Sequence, residues 1–181
     1  MPAALTTVVL LSLLLAAVTT DLRSRRIPNA LVLTGTLLAL AAHLSSLVAD
    51  VPPLAGGHWW APLAGLAVGL TVLMPLYLLR AMGAGDVKLL AMVGAFVGVS
   101  TVLTATLYTL MAGGLLSLTM MLGRGVAART LTNTRFLLTD WVLRLRTGRG
   151  AALAPLETTA ARLPYAVAIS AGTVMALLQA T

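Results

Sequence analysis

Only five of the 181 residues are acidic, and two of them, Asp21 and Asp86, stand at the ends of apolar stretches. Asp86 follows Gly83-Ala84-Gly85 directly in front of a long uncharged run, and Asp21 closes the first apolar segment. A carboxylate at the lip of a membrane segment is costly, so each is a candidate functional residue by default. Two carboxylates that share a site cannot both ionise comfortably, and one proton is then held between them. The ionised member takes a proton from water as general base, and the protonated one donates to a carbonyl oxygen or a leaving amine. That is aspartic-protease chemistry, and it needs neither metal nor cofactor.

Each of these residues also has a purely structural reading. Asp86 can cap the helix it opens, satisfying free N–H groups at the positive end of the macrodipole. Asp21 faces the negative end of its own helix, which is unfavourable, and Arg23, Arg25 or Arg26 can balance it as a surface ion pair. Gly83 and Gly85 permit positive φ or close backbone approach. They form either a flexible turn or a floor against which an extended substrate backbone lies. Lys88 is suited to a carboxylate or, as the favoured reading, to a lipid phosphate. His43 and His58 fall on the opposite side from both aspartates, which argues against a Ser-His-Asp triad. No His, Asp or Glu spacing suits a metal, and the absence of cysteine removes thiolate ligands and a thiol nucleophile. Asp140 and Glu157 are rival acids, read as solvated.

The elements that position these groups are membrane helices. The chain is 59% hydrophobic and 9% charged, against about 25% charged for an ordinary soluble domain. An all-α, polytopic integral membrane protein is expected, as a single domain over 1–181. A spanning helix needs about 20 apolar residues. Spans are predicted at about 3–20, 30–49, 61–79, 89–99, 101–122 and 163–178, with a cytoplasmic segment at 123–162. The first twenty residues lack a basic lead-in and read as a first membrane helix, not a cleaved signal. The fourth and fifth spans come from one uncharged run, Leu89 to Leu122. As a single helix it would be about 51 Å long, well beyond a hydrocarbon core of about 30 Å. The split is expected near Gly98-Val99-Ser100-Thr101.

With the N-terminus outside, all twelve Lys and Arg residues fall on the inner side, as the positive-inside rule requires. The net charge of +7 therefore points to anionic lipid headgroups and not to nucleic acid. Residues 135–146 read as an amphipathic helix on the inner leaflet, with Leu137, Leu138, Trp141, Val142 and Leu145 on one face. Gly65 to Gly69 and Gly94 to Gly98 are GxxxG spacings suited to close helix packing, with a homo-oligomer seam as the alternative.

The stretch GAGDVKLLAMVGAFVG, together with DLRSRRIPN and the ending RLPYAVAISAG, resembles the type IV prepilin peptidases, membrane aspartic endopeptidases with a GxGD motif. The small peptidase-only type of Flp and tight-adherence pilus systems is the nearest in pattern. The resemblance implies Asp21 and Asp86 as the catalytic pair. It makes Gly83, Gly85, Lys88, Pro28 and Asn29 motif or substrate-positioning residues. It implies cleavage of a short basic leader from prepilin-like precursors at the cytoplasmic face of the bacterial inner membrane. The larger members carry an added N-terminal region and a cysteine-rich loop, and because this sequence departs from them in both, the resemblance does not carry their methyltransferase activity over. The alternatives are a non-enzymatic scaffold or transport subunit of a secretion system, and a GxGD intramembrane protease with other substrates.

Overall fold

The computed structural model describes residues 3–79, 82–123 and 165–180, the side chains of 120–123 excepted. Every regular element among them is helical: α1 (Ala3–Ser24), α2 (Asn29–Val48), α3 (Ala61–Leu78), α4 (Ala84–Gly123) and α5 (Tyr165–Ala180). Four are long and apolar enough to cross a membrane, at Ala3–Ser24, Asn29–Val48, Ala61–Leu78 and Ala84–Thr119, and α5 is a shorter apolar helix. The protein is thus a membrane protein whose described elements are all helical. The expected surface helix at 135–146, and the whole of 124–162, lie outside the described residues.

The two largest boundary differences from the sequence expectation both concern the aspartates. Helix α1 runs on to Ser24, so Asp21 lies within its last turn and does not close it. Thr19, Thr20 and Ser24 return their hydroxyls to carbonyls three or four residues back, so these polar side chains are satisfied within the helix. It stops at Arg25, which takes a left-handed φ of 53° and donates its N–H to the Asp21 carbonyl at 2.8 Å. Helix α4 begins at Ala84, ahead of Lys88, so Asp86 sits inside its first turn.

The long run breaks at Gly98, where φ is 77° and ψ is −178°. Only glycine enters that region without strain. A side chain there would also strike the Ala55 carbonyl oxygen. The contacts on either side of the break show that the run turns back. In the first arm, 84–97, Gly94 lies against Gly65 and the Leu90–Ala91 backbone against Gly69, so this arm is antiparallel to α3. In the second arm, Thr109 meets Gly172 and Gly113 meets Tyr165, so that arm is antiparallel to α5. Gly113 thereby returns to the end of the bundle that holds Asp86. Gly98→Ala is expected to cost roughly 1–3 kcal/mol, read as a lower unfolding temperature in detergent. An unchanged transition would show that the break carries no strain.

The first arm is the centre of the fold. Val87 and every residue from Leu89 to Gly98 are buried. A helix buried on all sides is apolar all round, which explains why this stretch shows no amphipathic pattern. Between membrane helices the lipid supplies no hydrophobic drive, so close packing must hold them together. The two GxxxG spacings meet that need within the chain, Gly65 and Gly69 facing Gly94 and the backbone at 90–91. Gly35 similarly makes room for Met92 from the α2 side. The described residues up to Gly113 and α5 form one compact unit, and the end of α4 from Gly114 falls in a second.

At the far end of the bundle, His43 is buried and its Nε2 lies 2.9 Å from the His58 carbonyl oxygen. His43 lines a small pocket with Thr6, Ser46, Ala55 and Phe96. Trp59 and Trp60 are exposed beside it, as aromatic residues are at a membrane boundary.

Candidate active site

Asp21 and Asp86 reach one end of the bundle from different elements, and both are buried, at 6% and 9% exposure. Their segments touch: a Cβ on Gly85 would lie 3.3 Å from the Ile27 Cβ, and Lys88 hydrogen-bonds to Asn29. The structure therefore brings together the two acids singled out from the sequence.

Asp86 performs the capping role open to it. Its Oδ2 accepts the Gly83 N–H at 3.1 Å, while its own N–H donates to the Gly83 carbonyl at 3.2 Å. This is the reach-back half of a capping box, an acid in the first turn satisfying an N–H just ahead of the helix. It uses one carboxylate oxygen and leaves the other for chemistry, so capping and catalysis do not exclude one another.

Asp21 has a partner that the sequence did not reveal. Its Oδ2 accepts the backbone N–H of Ala166 at 3.3 Å, from a residue 145 positions away. Ala166 lies in the first turn of α5. The first N–H groups of a helix lack internal partners and form its positive end. The acid that is unfavourable at the end of α1 is thus favourable at the start of α5. The only sequence signal for this was Pro164 just ahead of the last apolar segment, which marks a helix start but not what the helix will meet.

The motif residues knit the two aspartate segments together. Neither Gly83 nor Gly85 takes a positive φ, so conformational freedom is not their use here. Gly85 provides close approach: a Cβ on it would lie 3.3 Å from the Cβ of Ile27. Gly83 is exposed, and a Cβ there would lie 3.3 Å from Asp86 Oδ2. Pro28 is the N-cap residue of α2, with φ −62° and ψ 132°, and Asn29 follows as its first residue. Lys88 Nζ donates to Asn29 Oδ1 at 3.1 Å. The partner it meets here is thus an amide 59 residues away in sequence, not a carboxylate. Both histidines lie at the other end, with Ala55 and the Gly98 break, as expected. Asp140 and Glu157 lie outside the described residues.

A helical membrane protein with two buried acids meeting at one end of its bundle is the class that this fold and site define. The family model described as the type IV leader peptidase family matches residues 8–118, a stretch holding both aspartates. The chain belongs to that family of peptidases. A search of curated proteins found no match, and neither did a search of solved structures. Helix α5, which supplies the N–H to Asp21, lies beyond the matched stretch.

Proposed function

We propose that the chain is an aspartic endopeptidase that removes the leader from prepilin-like precursors, with Asp21 and Asp86 as its catalytic pair. The observation that carries this is the convergence of two buried carboxylates, from α1 and α4, at one end of the bundle. With one proton between them, the ionised carboxylate accepts a proton from water as the water oxygen attacks the scissile carbonyl carbon. The protonated one donates to the carbonyl oxygen. As the diol collapses, the carboxyl that took the water proton passes it to the departing amine, the C–N bond breaks, and a diol hydroxyl returns its proton to the other carboxylate, which restores the one-proton pair. Atoms and charges balance with water as the sole co-reactant.

Six crossings fit the contacts, the two arms of α4 each passing once. The first arm, 84–97, is about 21 Å long at 1.5 Å per residue, so it suits a locally thinned bilayer. The basic residues put the N-terminus outside and the acidic pair at the cytoplasmic side of a bacterial inner membrane. There the pair meets the junction between a precursor's leader and its membrane helix. Because the inner surface is itself basic, docking of the substrate helix among the membrane helices is a better recognition mode than charge attraction of a basic leader. Reporter fusions test the placement: Ser24 and Gly85 are expected to read cytoplasmic and Gly57 external. An external signal at Gly85 would put the aspartates on opposite sides and end this mechanism. A GxGD protease with other membrane substrates would show the same topology but leave a pilin-like precursor uncut.

A further inference from the structure

We propose that Lys88 and Asn29 are positioning residues, a brace that holds the two aspartate-bearing segments together so that Asp21 and Asp86 face one substrate bond. The inference rests on the aspartic reading above and assigns to this pair a role toward each other instead of toward substrate or lipid. Asn29 begins α2 eight residues after Asp21, and Lys88 lies two residues after Asp86. Their exposed hydrogen bond, Nζ to Oδ1 at 3.1 Å, joins the first residue of α2, at the end of the loop behind one acid, to the helix that carries the other. Ile27 packed on Gly85 is a second point of attachment between the same segments.

The brace answers a mechanical need. Each carboxylate spends its described hydrogen bond elsewhere, Asp21 on Ala166 of α5 and Asp86 on Gly83 of its own turn. Neither bond draws the acids together, and whenever both are ionised they repel. A hydrogen bond from a charged donor is stronger than one between neutral groups. A lysine in this place supplies it, while its length spans the gap between the α2 and α4 ends. Small misplacements of reacting groups cost large factors in rate, so the brace acts on turnover and not on substrate affinity.

The test uses the full chain, purified and reconstituted in liposomes. The substrate is a synthetic precursor peptide with a basic leader followed by an apolar helix. Lys88→Met and Asn29→Ala are each expected to lower kcat roughly tenfold with KM within about twofold. The double variant is expected to be no slower than the slower single, because one bond is lost in all three. Asn29→Asp is expected to stay within about threefold of wild type, since a carboxylate accepts the same N–H. A rise in KM at unchanged kcat, multiplying losses in the double variant, or an Asn29→Asp as slow as Asn29→Ala would each overturn the proposal.

A second measurement reads the brace without activity. The natural chain has no cysteine, so Asn29→Cys combined with Lys88→Cys gives the only two thiols. A short bifunctional maleimide is expected to join them within one chain in membranes. Absence of that cross-link overturns the brace even if both aspartates prove catalytic. A cross-link in a protein whose Asp→Asn variants still process precursor keeps the adjacency of positions 29 and 88 and overturns the aspartic reading instead.

Discussion

Asp21→Asn and Asp86→Asn are each expected to lower leader cleavage by about 10³-fold or more, while the protein still inserts and folds. The structure explains why this substitution separates chemistry from architecture. Each aspartate accepts one backbone N–H, Asp21 from Ala166 and Asp86 from Gly83. An asparagine carbonyl oxygen accepts the same bond at nearly the same volume, so the cap on α4 and the contact with α5 survive. What asparagine cannot do is hold or release a proton. General acid and general base steps contribute about 10²–10⁴-fold each, and residues that act as a unit lose most of that together when either is removed. Processing of a co-expressed pilin-like precursor, read by its size on a gel, checks the loss. Melting in detergent checks that the fold is kept. Asp21→Ala would be a poorer choice, because it leaves the Ala166 N–H buried and unpaired, at about 1–3 kcal/mol.

Gly94→Val is expected to destabilise the bundle by about 3 kcal/mol. A Cβ at position 94 would run into the carbonyl group of Gly65, and one at position 65 into that of Gly94. The obstacle is backbone on both sides, so no rotamer change relieves it, and α3 must move away from the central arm. Overpacking costs about 1–3 kcal/mol in ordinary cores and more where nothing can yield. A loss of about 3 kcal/mol would be a large part of a typical stability of about 5–15 kcal/mol. Melting in detergent and the yield of protease-resistant protein measure it. Gly114→Ala is the matched control, since a Cβ there meets nothing within 4 Å. If Gly94→Val melts like the control, the α3–α4 contact described here is wrong. The same contact shows that these GxxxG spacings are spent inside the chain, so a homo-oligomer would need another surface.

What could be read from the sequence was what depends on length and sign. The uncharged run from Leu89 to Leu122 was too long for one crossing, and the break lies at Gly98, at the edge of the stretch expected to hold it. The starts and ends of α2 and α3 fall within a residue of expectation, because proline, glycine and the apolar limits mark them. A charged residue does not by itself end a helix: α4 begins before Lys88, and α1 continues past Asp21, with its threonine and serine hydroxyls bonded back to helix carbonyls. Contacts between distant residues were not legible. Nothing local ties Asp21 to Ala166, or Lys88 to Asn29, and nothing in a GxxxG spacing says whether its mate lies in the same chain. Those pairings follow from how the helices stack. They also turn the unfavourable place of Asp21 in α1 into a favourable one at α5.

The central claim is that Asp21 and Asp86 work as one catalytic pair. The most direct measurement is cleavage of a purified pilin-like precursor by the reconstituted wild type, Asp21→Asn, Asp86→Asn and the double variant, with products identified by mass spectrometry. A single catalytic pair gives one cut between leader and membrane helix by the wild type, near-complete loss in each single variant, and no further loss in the double. Near-normal cleavage by either single variant would contradict it.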